Sequence, residues 1–453
     1  MVSNVNYLPV IHIGNLSSTK HFFQNALILG IVIVSIALGA CSSDDSVYES
    51  ATPPAQKTYT LIVSATKDVD EALTRALSLD GNTLNATWAE GEEVTVYNIT
   101  KSEDISGSLV AQSSGASTTL KGTLTGTIEE GDELKLKFLS PNYGSQNGTL
   151  DYIAANCDYA EASVTVASIE GGNITTTGTA AFTNQQAIVK FVLKDASNSP
   201  LSVSSLTVSN YTNSYTVNLT PATDVIYVAF PGFSDNLITL TASAGGSTYD
   251  YAKSGVTFAN SSFHSVTVKM SECVDIASVT SDHAGKIIGV DGKVYSHVLC
   301  AVAAGTTPSA MVGYVGDKNG ASGSGAYSTV YNHGLAISLN NVGKNGEEKS
   351  DNMNPSTAKS AASSYIRTRP SNTSSWFLGS YSQWNKIMGS FSSPSLKDRF
   401  GTVGGTNLYS SSFWSSTDSW NNSSNTMAFS YSSNKWLEGN STQTAYVRAF
   451  FAF

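Results

Sequence analysis

The sequence predicts a mainly β protein, and three observations carry that prediction. Residues 263–270 alternate apolar and polar side chains, as a strand with one buried face does, and 59–65 have clear β propensity. Turn residues recur between such runs at short, even spacing, which argues for a sandwich or a Greek-key barrel. Beyond residue 41 long helical patterns are absent, while 21 Tyr and 17 Phe supply the aromatic content that strands favour.

Length and charge set limits. A chain of 453 residues has room for about three domains. Its formal net charge of -10 and 13% charged residues argue against a nucleic-acid partner, which needs a basic face. Of the cysteines, Cys41 sits in a lipid-attachment pattern, leaving Cys157, Cys273 and Cys300. Such an odd remainder cannot complete a disulfide framework, although a Cys273–Cys300 pair stays open in an oxidising compartment. No Cys/His cluster has zinc spacing, so neither a metal nor a cofactor is expected.

The leader comes first. Residues 26–40 carry no charge, Lys20 and His21 precede them, and Leu38-Gly39-Ala40-Cys41 ends the run. This resembles a bacterial lipoprotein signal, which implies acylation (palmitate) of Cys41 as the mature N-terminus. Acyl chains hold a polar domain on a membrane at about 0.8 kcal/mol per buried CH2. The competing assignment is a transmembrane helix, for which an apolar run of about fifteen residues is short against a hydrocarbon core of roughly 30 Å. Ser42-Ser43-Asp44-Asp45 resembles the surface-export signal of Bacteroidetes lipoproteins, implying the outer face of the outer membrane. Residues 1–40 are therefore a signal peptide and 41–57 a polar tether.

The first module spans 58–172. After the strand at 59–65 comes a charged break at 67–71, then Leu73-Thr74-Arg75-Ala76-Leu77. Trp88-Ala89-Glu90-Gly91-Glu92-Glu93-Val94-Thr95-Val96-Tyr97 follows, with Glu-Gly-Glu as a turn and Val94 and Val96 inward. Glu130-Gly131-Asp132-Glu133 repeats the idea, and 151–156 add a short helical turn. Glu90, Glu92 and Glu93 are expected to be solvated charges in a turn, not a catalytic set.

Thr74-Arg75-Ala76, Asp80-Gly81-Asn82 and the Trp88 segment together resemble the fimbrillin family of Bacteroidetes surface lipoproteins, over residues 58–271. The resemblance implies two tandem β-sandwiches and no catalysis. It also implies a processing site. Polymerising members are cut after an arginine that follows the first strand, and a strand from another subunit then fills the opened groove, a form of β-strand addition. Arg75, with Ala76 as the new N-terminus, matches that position. The competing assignment is an ordinary surface arginine in a loop.

The second module spans 173–271. Residues 180–193, 206–208, 224–231 and 237–242 are apolar strand runs, Gly245-Gly246 signals a hairpin, and His264 falls on the polar side of the closing strand. It resembles the second fimbrillin sandwich.

The third module spans 272–453. Residues 317–327 are Gly/Ser-rich and mark a loop. Trp384, Ile387, Met388 and Phe391 have helical spacing. Trp376-Phe377-Leu378-Gly379, Trp414-Ser415-Ser416-Thr417-Asp418 and Val447-Arg448-Ala449 resemble the C-type-lectin-like fold shared with formylglycine-generating enzymes, with Phe377 and Gly379 departing from the usual Trp-Arg-Leu-Pro. This implies a mixed α+β domain. The enzyme's paired cysteines are missing, since Cys300 stands alone past residue 283, and the carboxylates of a calcium site are not clustered around Asp418. Trp420 and Trp436 lie in Ser/Asn-rich stretches, where flat aromatics suit sugar or protein contacts. Core anchoring is the alternative for both. The terminal run 446–453 is apolar enough to be buried in its own domain.

The functional expectation is a non-catalytic, lipid-anchored protein on the outer membrane or in a fimbrium, acting as a tip or accessory subunit or adhesin. Its partners would be other fimbrial subunits, and a glycan or a host or bacterial surface protein. The alternative is a surface lipoprotein that binds glycans for nutrient capture, independent of fimbriae.

Overall fold

The computed structural model describes residues 57–67, 78–80, 83–85, 87–316, 330–392, 394–408, 411–418 and 423–453. Cys41, Arg75, Ala76, Trp420 and the loop at 317–327 lie outside the described residues. The described chain is mainly β, as the alternation predicts.

The first module comprises β1 (Lys57–Lys67), the hairpin β2 (Ser78–Asp80) and β3 (Thr83–Asn85), β4 (Glu93–Asn98), β5 (Glu103–Ala111), β6 (Ser117–Gly126), β7 (Glu133–Phe138), α1 (Leu150–Asn156), β8 (Ala160–Glu170), β9 (Asn173–Thr177) and β10 (Ala180–Asn184). Among the described residues, eight of these strands form one sheet in the order β10-β1-β6-β5-β4-β7-β8-β9, and the pairings β10–β8 and β1–β9 close it on itself. Inside lie Leu61, Val94, Leu109, Leu120, Leu134 and Leu136, packed around a fully buried Trp88. Gly91 and Gly131, at φ +87° and +88°, supply the left-handed corners from which Glu93 and Glu133 start β4 and β7.

This sheet extends past the boundary drawn at residue 172. Gly171 and Gly172 both have positive φ and form the hairpin between β8 and β9 rather than a linker. β9 and β10 therefore belong to the first sheet, and a new sheet begins after Gln186. The β2–β3 hairpin goes the other way. Thr83 pairs with Ser262 of the second module.

The second module contains β11 (Ala187–Lys194), β12 (Val203–Ser209), β13 (Ser214–Thr223), β14 (Val225–Phe230), β15 (Phe233–Ala244), β16 (Ser247–Phe258), β17 (Ser262–Lys269) and β18 (Ser271–Glu272). Two sheets, β14-β11-β17-β3-β2 and β13-β12-β15-β16-β18, enclose Phe191, Val203, Leu206, Val228, Phe230 and Leu240. Both outer faces are also covered. Tyr143, Ile153 and Cys157 pack on Ile188, Ala229 and Phe263, and the Gln146 amide pairs with both Ala229 N and O at 2.7 Å. Sheets covered on two faces need continuous apolar runs instead of alternation, as β14 shows.

The third module opens with 3-10 turns at Ile276–Ser278 and Ser281–His283. It continues through β19 (Ile287–Gly289), β20 (Val294–Tyr295), α2 (Val298–Ala303), β21 (Pro308–Val315), β22 (Gly334–Ser338), α3 (Pro355–Ser363), β23 (Phe377–Leu378), α4 (Tyr381–Gly389), α5 (Leu396–Val403), β24 (Ser412–Asp418), β25 (Thr426–Ser430), β26 (Lys435–Gly439) and β27 (Ala449–Ala452). A central sheet, β20-β19-β21-β22-β27-β23, sits beside the smaller β24-β25-β26. Successive residues of the central sheet feed two cores: Val312, Ala336 and Phe451 on one face, Met311, Ile337 and Phe450 on the other. The amphipathic pattern at 384–391 is α4, started by a Ser380–Gln383 capping box. The sequence missed α3 because its buried face is alanine (Ala358, Ala361, Ala362) and shows no apolar stripe. No helix among the described residues is long and apolar enough to cross a membrane.

Candidate functional site

β1 closes the first module from both sides. Its inward side chains Tyr59, Leu61, Val63 and Ala65 are at most 6% exposed, whereas the outward Ile62 is 52% exposed. One edge is antiparallel to β6 without interruption, from Lys57↔Gly126 to Thr66↔Ser117. The other edge is parallel and split: Thr60 and Leu61 pair with β9, and 65–67 pair with β10. Lifting β1 out would therefore open a slot between β6 and β9/β10 lined by the core around Trp88.

The period-two pattern of β1 runs one step further than its apolar residues, to Lys67, which is 2% exposed. Its ammonium lies 3.2 Å from Glu92 Oε2 and 4.0 Å from Asp158 Oδ2. It also stands over the rings of Phe138 and Trp88, at 3.7 and 4.3 Å from their centroids. Glu92 Oε2 accepts the Ala89 N–H (3.1 Å), and Asp158 Oδ1 accepts from Gln186 Nε2 (3.1 Å). Glu92 is thus not a solvated turn charge: it holds the end of β1, and its carboxylate is drawn there because Lys67 cannot be buried unpaired. Sequence reasoning missed Lys67, Asp158 and Gln186. Only Lys67 left a signal, its place in the inward alternation.

Burial pushes the Asp158 carboxyl up to about 6, with Lys67 opposing and Glu92 assisting. The folded protein holds that proton up to about pH 6, while the unfolded chain releases it near the ordinary value of 3.8. Acidification between those values therefore favours the folded state. Lys67→Met, which strands both carboxylates, should lower stability by about 3–5 kcal/mol at pH 7. Urea melts should show the deficit shrinking at pH 5, as Asp158 takes up its proton; an equal deficit at both pH values would refute this account.

In the third module Trp436 is half-buried on β26. Its ring packs on Tyr381 (4.6 Å between centroids) and Phe429 (5.3 Å), and its Nε1 donates to Asn385 Oδ1 (3.0 Å). Two further tryptophans of this module are core anchors: Trp376 Nε1 donates to Arg367 O (2.7 Å) and Trp414 Nε1 to Met353 O (2.6 Å). Cys157, Cys273 and Cys300 are free, buried thiols, so the Cys273–Cys300 pair is not formed here. His264 hydrogen-bonds Ser262 Oγ (2.9 Å) and meets the Phe258 ring. Among the described residues no group of three or more His, Cys, Asp or Glu side chains could hold a metal.

No protein-family pattern and no curated protein matches the sequence. Among solved structures, a fimbrial protein from Bacteroides ovatus shares 14% identity, with 88% of this chain and 100% of that chain covered at a TM-score of 0.26. A fimbrial assembly protein from Parabacteroides distasonis shares 9% (49% and 95% covered, TM-score 0.28). The tip fimbrial protein Mfa3 from Porphyromonas gingivalis, with a C-terminal truncation, shares 12% (43% and 81% covered, TM-score 0.23).

Proposed function

We propose that this chain is a non-catalytic cell-surface subunit, anchored to the outer membrane through lipid on Cys41 and assembled by β-strand addition after cleavage between Arg75 and Ala76. One observation carries the reading: β1 bridges β6 and β9/β10 of the first module, bonded along both edges, and Arg75 lies a short distance after its end. A cut there separates β1 from everything it closes, and an incoming strand finds a preformed core and free edges. Residues 272–453, with their likeness to the lectin-like fold, form a head that meets a glycan or a protein on another surface. β27 lies between β22 and β23 in its own sheet and cannot be donated without dismantling it, which favours a tip or accessory place over a stalk.

The test is the N-terminus of protein taken from the native cell surface, determined by mass spectrometry. An N-terminus at Ala76 in high-molecular-weight material is the expected result. A lipidated Cys41 as the sole N-terminus would mean an anchored monomer and would sink strand exchange for this chain.

A further inference from the structure

Between the second and third modules lies a cavity of about 280 Å³, small for a site that takes drug-sized ligands. β16 contributes Lys253 and Ser254, the approach to β19 contributes Lys286, the turn before α2 contributes Ser296, and α5 contributes Arg399 and Thr402. No Asp or Glu lines it. In a chain with 25 Lys and Arg against 35 Asp and Glu, three cations on one cavity without a carboxylate is an unusual local excess. Lys253, Lys286 and Arg399 form no ion pair among the described residues.

Arg399 Nε is buried without a hydrogen-bond partner, a costly state for a charged group. Its guanidinium lies on Gly285, where a Cβ would come within 2.3 Å of Nε and 3.0 Å of Cζ. Only glycine permits that seat, and Gly285 also holds φ +83°. Behind the wall, Asp250 accepts the Ser296 N–H (2.5 Å) and hydroxyl (2.8 Å) and attracts Lys286 without forming an ion pair. A planar fork with two flexible ammonium groups beside it is the donor set that recognises oxyanions.

We propose that this cavity binds a small oxyanion, the carboxylate, sulfate or phosphate group of a small polar molecule. The proposal is independent of strand exchange in the first module. Isothermal titration of the full chain with sulfate, phosphate and glucuronate, with glucose as a neutral control, tests it. Saturable one-site binding of at least one anion and none of glucose is expected, and which anions bind separates the tetrahedral from the carboxylate source. Arg399→Gln should weaken binding by roughly ten- to a hundredfold, the value of a charge-assisted hydrogen bond. Gly285→Ala, which displaces the guanidinium and keeps its charge, should weaken it in the same direction, and Lys286→Gln less. Lys135→Gln, in a distant surface pair, should change nothing. The proposal fails if no anion saturates, if Lys135→Gln weakens binding as much as Arg399→Gln, or if the folded Arg399→Gln and Lys286→Gln proteins bind as the parent does.

Discussion

A chain beginning at Ala76 should lose the stability of its first module and regain it from a peptide of sequence Lys57–Lys67. Full burial of Tyr59, Leu61 and Val63, with a smaller share from Ala65, is worth roughly 5–10 kcal/mol at about 1.5–3 kcal/mol for each large side chain. That equals the whole stability of many domains, about 5–15 kcal/mol. Truncation should therefore abolish cooperative unfolding of the module or leave it open and self-associating, because β6 and β9/β10 become unpaired edges. After ordering costs, a rescuing peptide should bind with a Kd on the order of micromolar.

The register supplies the control. Shifting the peptide by one residue would turn Thr60, Ile62 and Ser64 inward and the apolar set outward, so a shifted peptide should fail. Pairing should be felt mainly along β6, where the contact is continuous, and less along the parallel edge, which β9 and β10 share. The lysine at the end of the strand should matter as well: a peptide with Lys67→Ser leaves Glu92 and Asp158 without their ammonium and should bind more weakly at pH 7 than at pH 5. An unchanged unfolding midpoint after truncation, or equal rescue by the shifted peptide, would remove the basis for strand addition.

What could be seen in the sequence divides along a physical line. Local periodicity was visible wherever one face meets solvent, as in β1, β4 and β17. So were the positive-φ corners at Gly91 and Gly131, and the apolar spacing of α4. Partnerships between distant segments were not visible. Thr60 pairs with Asn173 and Ala65 with Ala180, and nothing near either residue marks a parallel contact across such separation, so the run from Ala180 reads as the start of a new sheet although β10 belongs to the first. β14 is covered on both faces, and its continuous apolar run conceals which neighbour covers which side. The slot at β1 was half legible: its strand stood out, while the buried charges that secure it read as ordinary polar residues. The polar stretch around Trp436 left a ligand surface and a core anchor both open; Phe429 on the neighbouring strand and Tyr381, far from it in sequence, pack on its ring.

Arg448 should be the most sensitive single residue of the third module. The side chain is fully buried, and burial draws its pKa down to about 9. It makes no ion pair among the described residues. Instead Nη1 donates to Ser338 O (2.7 Å), Nη2 donates to Thr406 O, and the guanidinium lies 4.4 Å from the centroid of the Phe400 ring. One planar fork thereby ties β22 and β27 to the loop after α5. Arg448→Ala orphans two buried carbonyls at about 1–3 kcal/mol each and truncates a packed side chain at about 2–5 kcal/mol. Relief of the buried charge returns part of this, so a net loss of about 3–5 kcal/mol is expected. Arg448→Met restores packing on Phe400 and should lose less. Arg448→Lys should rescue poorly, because a single ammonium cannot serve two carbonyls in the geometry of a fork. Thermal unfolding of the three variants gives the order Met, then Lys and Ala. A loss below about 1 kcal/mol for Arg448→Ala, the range of an ordinary surface change, would mean that the fork does not hold the module together.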